Sequence, residues 1–125
     1  MLFRSPLVPM AVKDQRFMQV NVPEARSRIF SYGVVPVRAV EVLIALGRQA
    51  RRPGILESIR SPVLVLHSVG DRAASPSACR KAFERIGSQK KRCVWYERSN
   101  HILMWDHDAE AATGEILGFL GAIGG

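Results

Sequence analysis

The sequence predicts an α/β fold in which a parallel sheet is flanked by helices, and three observations carry that prediction. Pro62 to Leu66, followed by His67, is an almost unbroken apolar run, the pattern of a strand covered on both faces. Ser75-Pro76 reads as a helix start and Gly87 as its stop, because serine caps orphan amides and proline suits the first turn. Lys91 to Glu97 reads as a second strand. Strand, helix, strand and then a last helix call for right-handed crossovers and parallel pairing.

The elements follow in order. Residues 1 to about 34 are the least readable, since Pro6, Pro9 and Pro23 break any long helix; Gln15 to Val22 is expected as a short strand. Pro36 to about Arg51 reads as a helix, with Val37, Val40, Leu43, Ile44 and Gly47 on one face and Arg38, Glu41 and Arg48 elsewhere. Arg48, Arg51 and Arg52 suit its C-terminal end, and Pro53-Gly54 ends it. Ile55 to Arg60 is a linker turn. Ser68 to Ala74 is a loop holding Gly70 and Asp71. The next helix should bury Ala78, Ala82, Phe83 and Ile86. Ser99-Asn100-His101 is a tight loop. Asp106 or Asp108 is expected to cap a final helix with Ala109, Ala112, Ile116, Phe119, Leu120 and Ile123 as its apolar face.

Composition bounds the function. The chain has 125 residues, 47% of them apolar, enough for one domain with a core. The net charge is +7, but the arginines are scattered among acids. The clusters Arg48, Arg51, Arg52 and Lys90, Lys91, Arg92 are short and lack interleaved stacking aromatics, so a nucleic-acid partner is not expected. Cys79 and Cys93 form neither a CxxC pair nor a disulfide framework, which fits free thiols in a reducing compartment. Met1 to Met10 is interrupted by Arg4, Pro6 and Pro9, so it does not read as a signal peptide. No apolar run approaches the ~18 residues that cross a bilayer. A cytoplasmic protein without a membrane span is expected.

Asp71 and His101 each lie just past a predicted strand. Neighbouring parallel strands run about 4.8 Å apart and end on the same sheet edge, where ligand sites of open α/β sheets lie. A carboxylate bonded to one ring nitrogen fixes a histidine's tautomer, leaving the other nitrogen to move a proton. Taken singly, Asp71 is also a plain turn-forming carboxylate and His101 a structural loop histidine; their joint placement favours two members of a catalytic triad. Other candidates have blander readings. His101, Asp106, His107 and Asp108 resemble metal ligands, but helix capping is favoured and no metal is expected. His67 is expected as a core or rim histidine and Cys79 as an inert thiol. Met104-Trp105 could line an acyl pocket or pack in the core.

The stretch Ile59-Arg60-Ser61-Pro62-Val63-Leu64 through Gly70-Asp71, then Ser75-Pro76-Ser77-Ala78, then Trp95 to His101 with Trp105-Asp106 and the final helix, resembles the C-terminal part of α/β-hydrolases. The likeness is to the carboxylesterase and monoacylglycerol-lipase, serine aminopeptidase-like branch. Tyr32 to Arg51 resembles the end of that branch's cap. The resemblance implies residues 1–54 as cap remnant and linker, and 55–125 as the C-terminal βαβα part of the hydrolase domain. It implies Asp71 as triad acid, His101 as base, a small acyl ester or monoacylglycerol as substrate, and no cofactor. The family's nucleophile motif, Gly-x-Ser-x-Gly, occurs at none of the ten serines; Ser31 has Gly33 on one side but Ile29 on the other. A truncated gene, one half of a split enzyme, and a non-catalytic interaction module remain open, the chain alone being expected inactive. Each would leave apolar surface and a sheet edge uncovered, so self-association or pairing with a nucleophile-bearing half is expected.

Overall fold

A computed structural model describes residues 2–4, 9–12, 20–30 and 32–124. Its organising unit is the expected parallel pair. Strand β4 (Val63–Ser68) runs beside β5 (Lys91–Tyr96), in register from Val63 opposite Lys91 to Ser68 opposite Tyr96, and α3 (Pro76–Arg85) makes the crossover. The start of α3 is as read: Ser75 Oγ accepts from the Ala78 amide at 3.3 Å, and Pro76 opens the helix. Its far end is closed by a side chain. Lys91 Nζ donates to the carbonyls of Phe83, Glu84 and Ile86 at 2.9, 3.1 and 2.7 Å, placing a cation on the negative end of the helix.

Gly87 stops α3 as expected, by close packing and not by a left-handed conformation. Among the described residues Gly54 is the glycine with positive φ. At Gly87 an added Cβ would collide with the Glu57 carbonyl and the Arg60 guanidinium. The Gly87 amide donates to Leu56 O at 3.1 Å, so the glycine lets this chain lie against the 3-10 turn Leu56–Ser58. The same turn anchors the preceding helix, α2 (Val37–Ala50). Arg85 bonds Glu57 Oε1 at 2.7 Å and donates to the carbonyls of Arg51 and Arg52, both at 3.1 Å. The hydrogen bond from Arg85 holds the Glu57 pKa down to about 2.

The N-terminal part holds elements the sequence did not suggest. Strands β1 (Leu2–Arg4), β2 (Pro9–Val12) and β3 (Val34–Pro36) form an antiparallel sheet in that order. They are three or four residues long and two contain proline, so they carry no readable alternation. The expected strand over Gln15 to Val22 falls mostly outside the described residues; Val20 to Val22 are irregular and lead into the single turn α1 (Pro23–Arg26). Pro36 closes β3 instead of opening the helix.

The helices form where periodicity places them, but their apolar faces are not covered as expected. No residue of α2 is buried, and Leu43 is 70% exposed. In α4 (Ala109–Gly124), Ala112 is fully buried while Leu120, Ile123 and Leu117 are exposed, Leu117 by 64%. Ala78 of α3 is exposed, and Val63 to His67 are only half-buried. Periodicity reports a face that needs a partner; it does not report whether the partner is present.

Gly87→Ala should lower the unfolding free energy by about 2 kcal/mol, because backbone must move to admit the methyl. Gly114→Ala in α4, where an added Cβ meets nothing, should be neutral or stabilising by up to about 1 kcal/mol. Urea unfolding midpoints of the two variants check this.

Candidate active site

Asp71 lies three residues beyond β4 and His101 five beyond β5. The parallel pairing brings them together: His101 Nδ1 donates to Asp71 Oδ2 at 2.9 Å. The Asp71 side chain is 6% exposed and that of His101 is 38% exposed, so the acid is enclosed and the base opens to solvent. Asp71 Oδ1 accepts the amides of Ala73 and Ala74 at 2.8 and 2.7 Å. Burial pushes the Asp71 pKa up, but the Ala74 amide, the His101 ring and the Ala73 amide together outweigh it and leave the carboxyl below its usual value. The carboxylate therefore stays ionised and accepts. In neutral His101 the proton sits on Nδ1 and the Nε2 lone pair is free to act as base.

A buried polar frame fixes the two loops. Ser68 Oγ, at the end of β4, donates to Ser99 O and accepts from the Gly70 amide at 3.1 Å. Gly70 sits so close to the histidine loop that an added Cβ would lie 3.3 Å from Ser99 O. Asn100 Oδ1 accepts from the amides of His101 at 2.9 Å and Arg72 at 3.3 Å, bridging the acid loop to the base loop. Beneath them Asp106 accepts the amides of Asn21, Val22, Asn100 and His107 at 2.7, 3.0, 2.8 and 2.9 Å. Burial raises the Asp106 pKa, but these amides reverse that and hold it below its usual value.

The expected capping role holds only for the backbone of Asp108, whose carbonyl accepts the Ala112 amide at 2.9 Å; the two carboxylates bond elsewhere. Asp108 immediately precedes α4, but its carboxylate accepts from Ser99 Oγ at 2.7 Å and from the Arg98 amide at 3.2 Å. Both acids serve the histidine loop because its amides, turned inward, have no strand to bond. Sequence reading missed this frame; the available signal was a cluster of acids directly after an apolar loop. Among the described residues no group of three His, Cys, Asp or Glu side chains is arranged to hold a metal ion. His67 also approaches Asp71, with Nε2 3.7 Å from Oδ2. Met104 and Trp105, exposed rather than packed in a core, line an open depression with Ala25 and Arg28.

A comparison with protein families matches residues 21–108 to the family described as serine aminopeptidase, S33. The chain belongs to this family. α/β-Hydrolases are also among its structural neighbours. One is a solved structure from work on LipS and LipT, two metagenome-derived lipolytic enzymes, with 30% identity and a TM-score of 0.69 over 74% of this chain and 37% of that one. Another is the monoacylglycerol lipase of Paleococcus ferrophilus, with 19% identity and a TM-score of 0.73 over 89% of this chain and 45% of that one, a likeness of fold. The chain thus spans less than half the length of either. No curated protein matches it. As a family member it has an α/β fold that corresponds to the C-terminal part of an α/β-hydrolase, and its family is of the esterase and lipase type.

Asp106→Asn should speed amide hydrogen exchange at Asn21, Val22, Asn100 and His107 at least about tenfold, since an amide group offers a donor where four donors need an acceptor. The pH dependence follows in sign. Asp71 and Asp106 have folded pKa values below the usual 3.8, so their stabilisation is complete well above pH 3.8 and is lost as pH falls through the lower folded values. Urea unfolding from pH 6 downward should show the loss, and Asp106→Asn should flatten it.

Proposed function

We propose that this chain contributes the acid and base of a serine hydrolase acting on carboxylic esters, with the nucleophilic serine supplied from outside its 125 residues. The observation that carries the reading is the 2.9 Å bond between enclosed Asp71 and solvent-facing His101. In the assembled enzyme His101 Nε2 takes the serine proton as the hydroxyl attacks the ester carbonyl, then returns it to the leaving alcohol. Asp71 holds the ring and stabilises the imidazolium. Water repeats the cycle on the acyl-enzyme. No cofactor is needed for these steps.

The absence of Gly-x-Ser-x-Gly from the sequence supports a serine from elsewhere. So do the uncovered faces of α2 and α4, which suit either the nucleophile-bearing half or a second copy. In the same reading, residues 1–54 are the end of a cap with its linker, and 55–125 the C-terminal part of the hydrolase domain. The apolar α2 suits an acyl chain, hence acyl esters or monoacylglycerols. Among the described residues no helix is long and apolar enough to cross a membrane. Two free cysteines suit the cytoplasm.

A fluorophosphonate probe and a p-nitrophenyl ester test the reading. The chain alone should show neither labelling nor hydrolysis. Mixed with a first-half chain carrying Gly-x-Ser-x-Gly, it should confer labelling on that partner's serine. His101→Ala should then lower ester turnover by about a thousandfold or more, and Asp71→Asn by a comparable factor. Labelling of this chain by itself, or indifference of the assembled activity to both substitutions, would overturn it.

A further inference from the structure

Asp71 Oδ2 faces two imidazoles. His101 Nδ1 approaches to 2.9 Å and His67 Nε2 to 3.7 Å. The His67 ring is fixed at its other nitrogen, where Nδ1 lies 2.8 Å from Ser68 O. A carbonyl only accepts, so Nδ1 carries the proton. The nitrogen aimed at Asp71 is then a bare lone pair when the ring is neutral and an N–H donor when it is charged. Neutral His67 is held off from the carboxylate; charged His67 is drawn to it. The ring has little freedom to turn away: its side chain is 12% exposed, and its centroid lies 5.4 Å from that of Trp95 on the neighbouring strand.

We propose that His67 is a positioning residue for the Asp71–His101 pair: its imidazole shares Asp71 Oδ2 with His101, and its charge sets how firmly the carboxylate holds that base. The proposal rests on the reading of Asp71 and His101 as acid and base. Protonated His67 competes for Oδ2 and places a second cation beside a protonated His101. Arg80 of α3 lies over the Trp95 ring, 3.8 Å from its centroid, and is always charged. Burial pushes the Cys79 thiol of α3 up, with Asp71 adding to the shift. Neither group changes charge with the histidines in the neutral range.

The test is a titration of the full chain by NMR of the histidine ring Cε1–H signals, with His107→Gln to assign the third ring. Two coupled sites titrate broadly. In the wild-type chain the His101 signal should follow a curve with a Hill slope below one, rising to one in both His67→Phe and His67→Gln. Reciprocity requires that His101→Gln sharpen the His67 curve equally. A merely structural His67 would leave the His101 slope unchanged. A unit slope for His101 in the wild-type chain, or sharpening in one direction only, would overturn the proposal. The readout needs no serine and no substrate, so a failure of ester hydrolysis sinks the hydrolase reading without touching this result.

Discussion

Six paired positions, from Val63–Lys91 to Ser68–Tyr96, hold β4 and β5 parallel, and the position of every residue in the site follows from that register. A slip of one residue would turn each side chain to the opposite face and separate the loops that leave the two strand ends. The register is supported from both sides. Lys91, the first residue of β5, is drawn to the end of α3 by three carbonyls. Ser68, the last of β4, is bonded to Ser99 in the loop beyond β5. The crossover is thus tied at the bottom by a cation and at the top by a hydroxyl.

Above the strand ends, stability comes from polar groups rather than apolar ones. Ser68, Ser99, Asn100 and Asp106 are buried, and buried polar groups are costly unless bonded. Here they are bonded mainly to loop amides and carbonyls that no strand or helix could satisfy. Elsewhere the balance is reversed, and large apolar side chains on α2 and α4 face solvent. The loops that hold Asp71 and His101 are therefore self-sufficient in hydrogen bonds, while the layers around them are not self-sufficient in hydrophobic cover. This contrast accords with a chain that spans 37% and 45% of two structural neighbours.

Much of the βαβα part was legible in the sequence. The apolar run before His67, the Ser75-Pro76 start and the spacing from Asp71 to His101 are local patterns with local causes: face burial, capping and chain direction. The N-terminal sheet was not legible, because strands of three or four residues have no period to detect. Nor was the role of Gly87, which is set by contact with Glu57 thirty residues earlier. Asp106 looked like a helix cap because a cap needs only its neighbours, whereas its actual amide partners include Asn21 and Val22.

The sequence by itself determined the order of strands and helices from residue 62 onward, the parallel sense of the pair and the edge at which an acid and a histidine emerge. Those depend on periodicity and chain direction, which any short window contains. Tertiary structure alone decided that the two side chains meet at 2.9 Å, that His67 flanks the same oxygen, and that four amides converge on Asp106. Such contacts join residues brought together from separate elements, and their distances are set by packing, which no local window encodes.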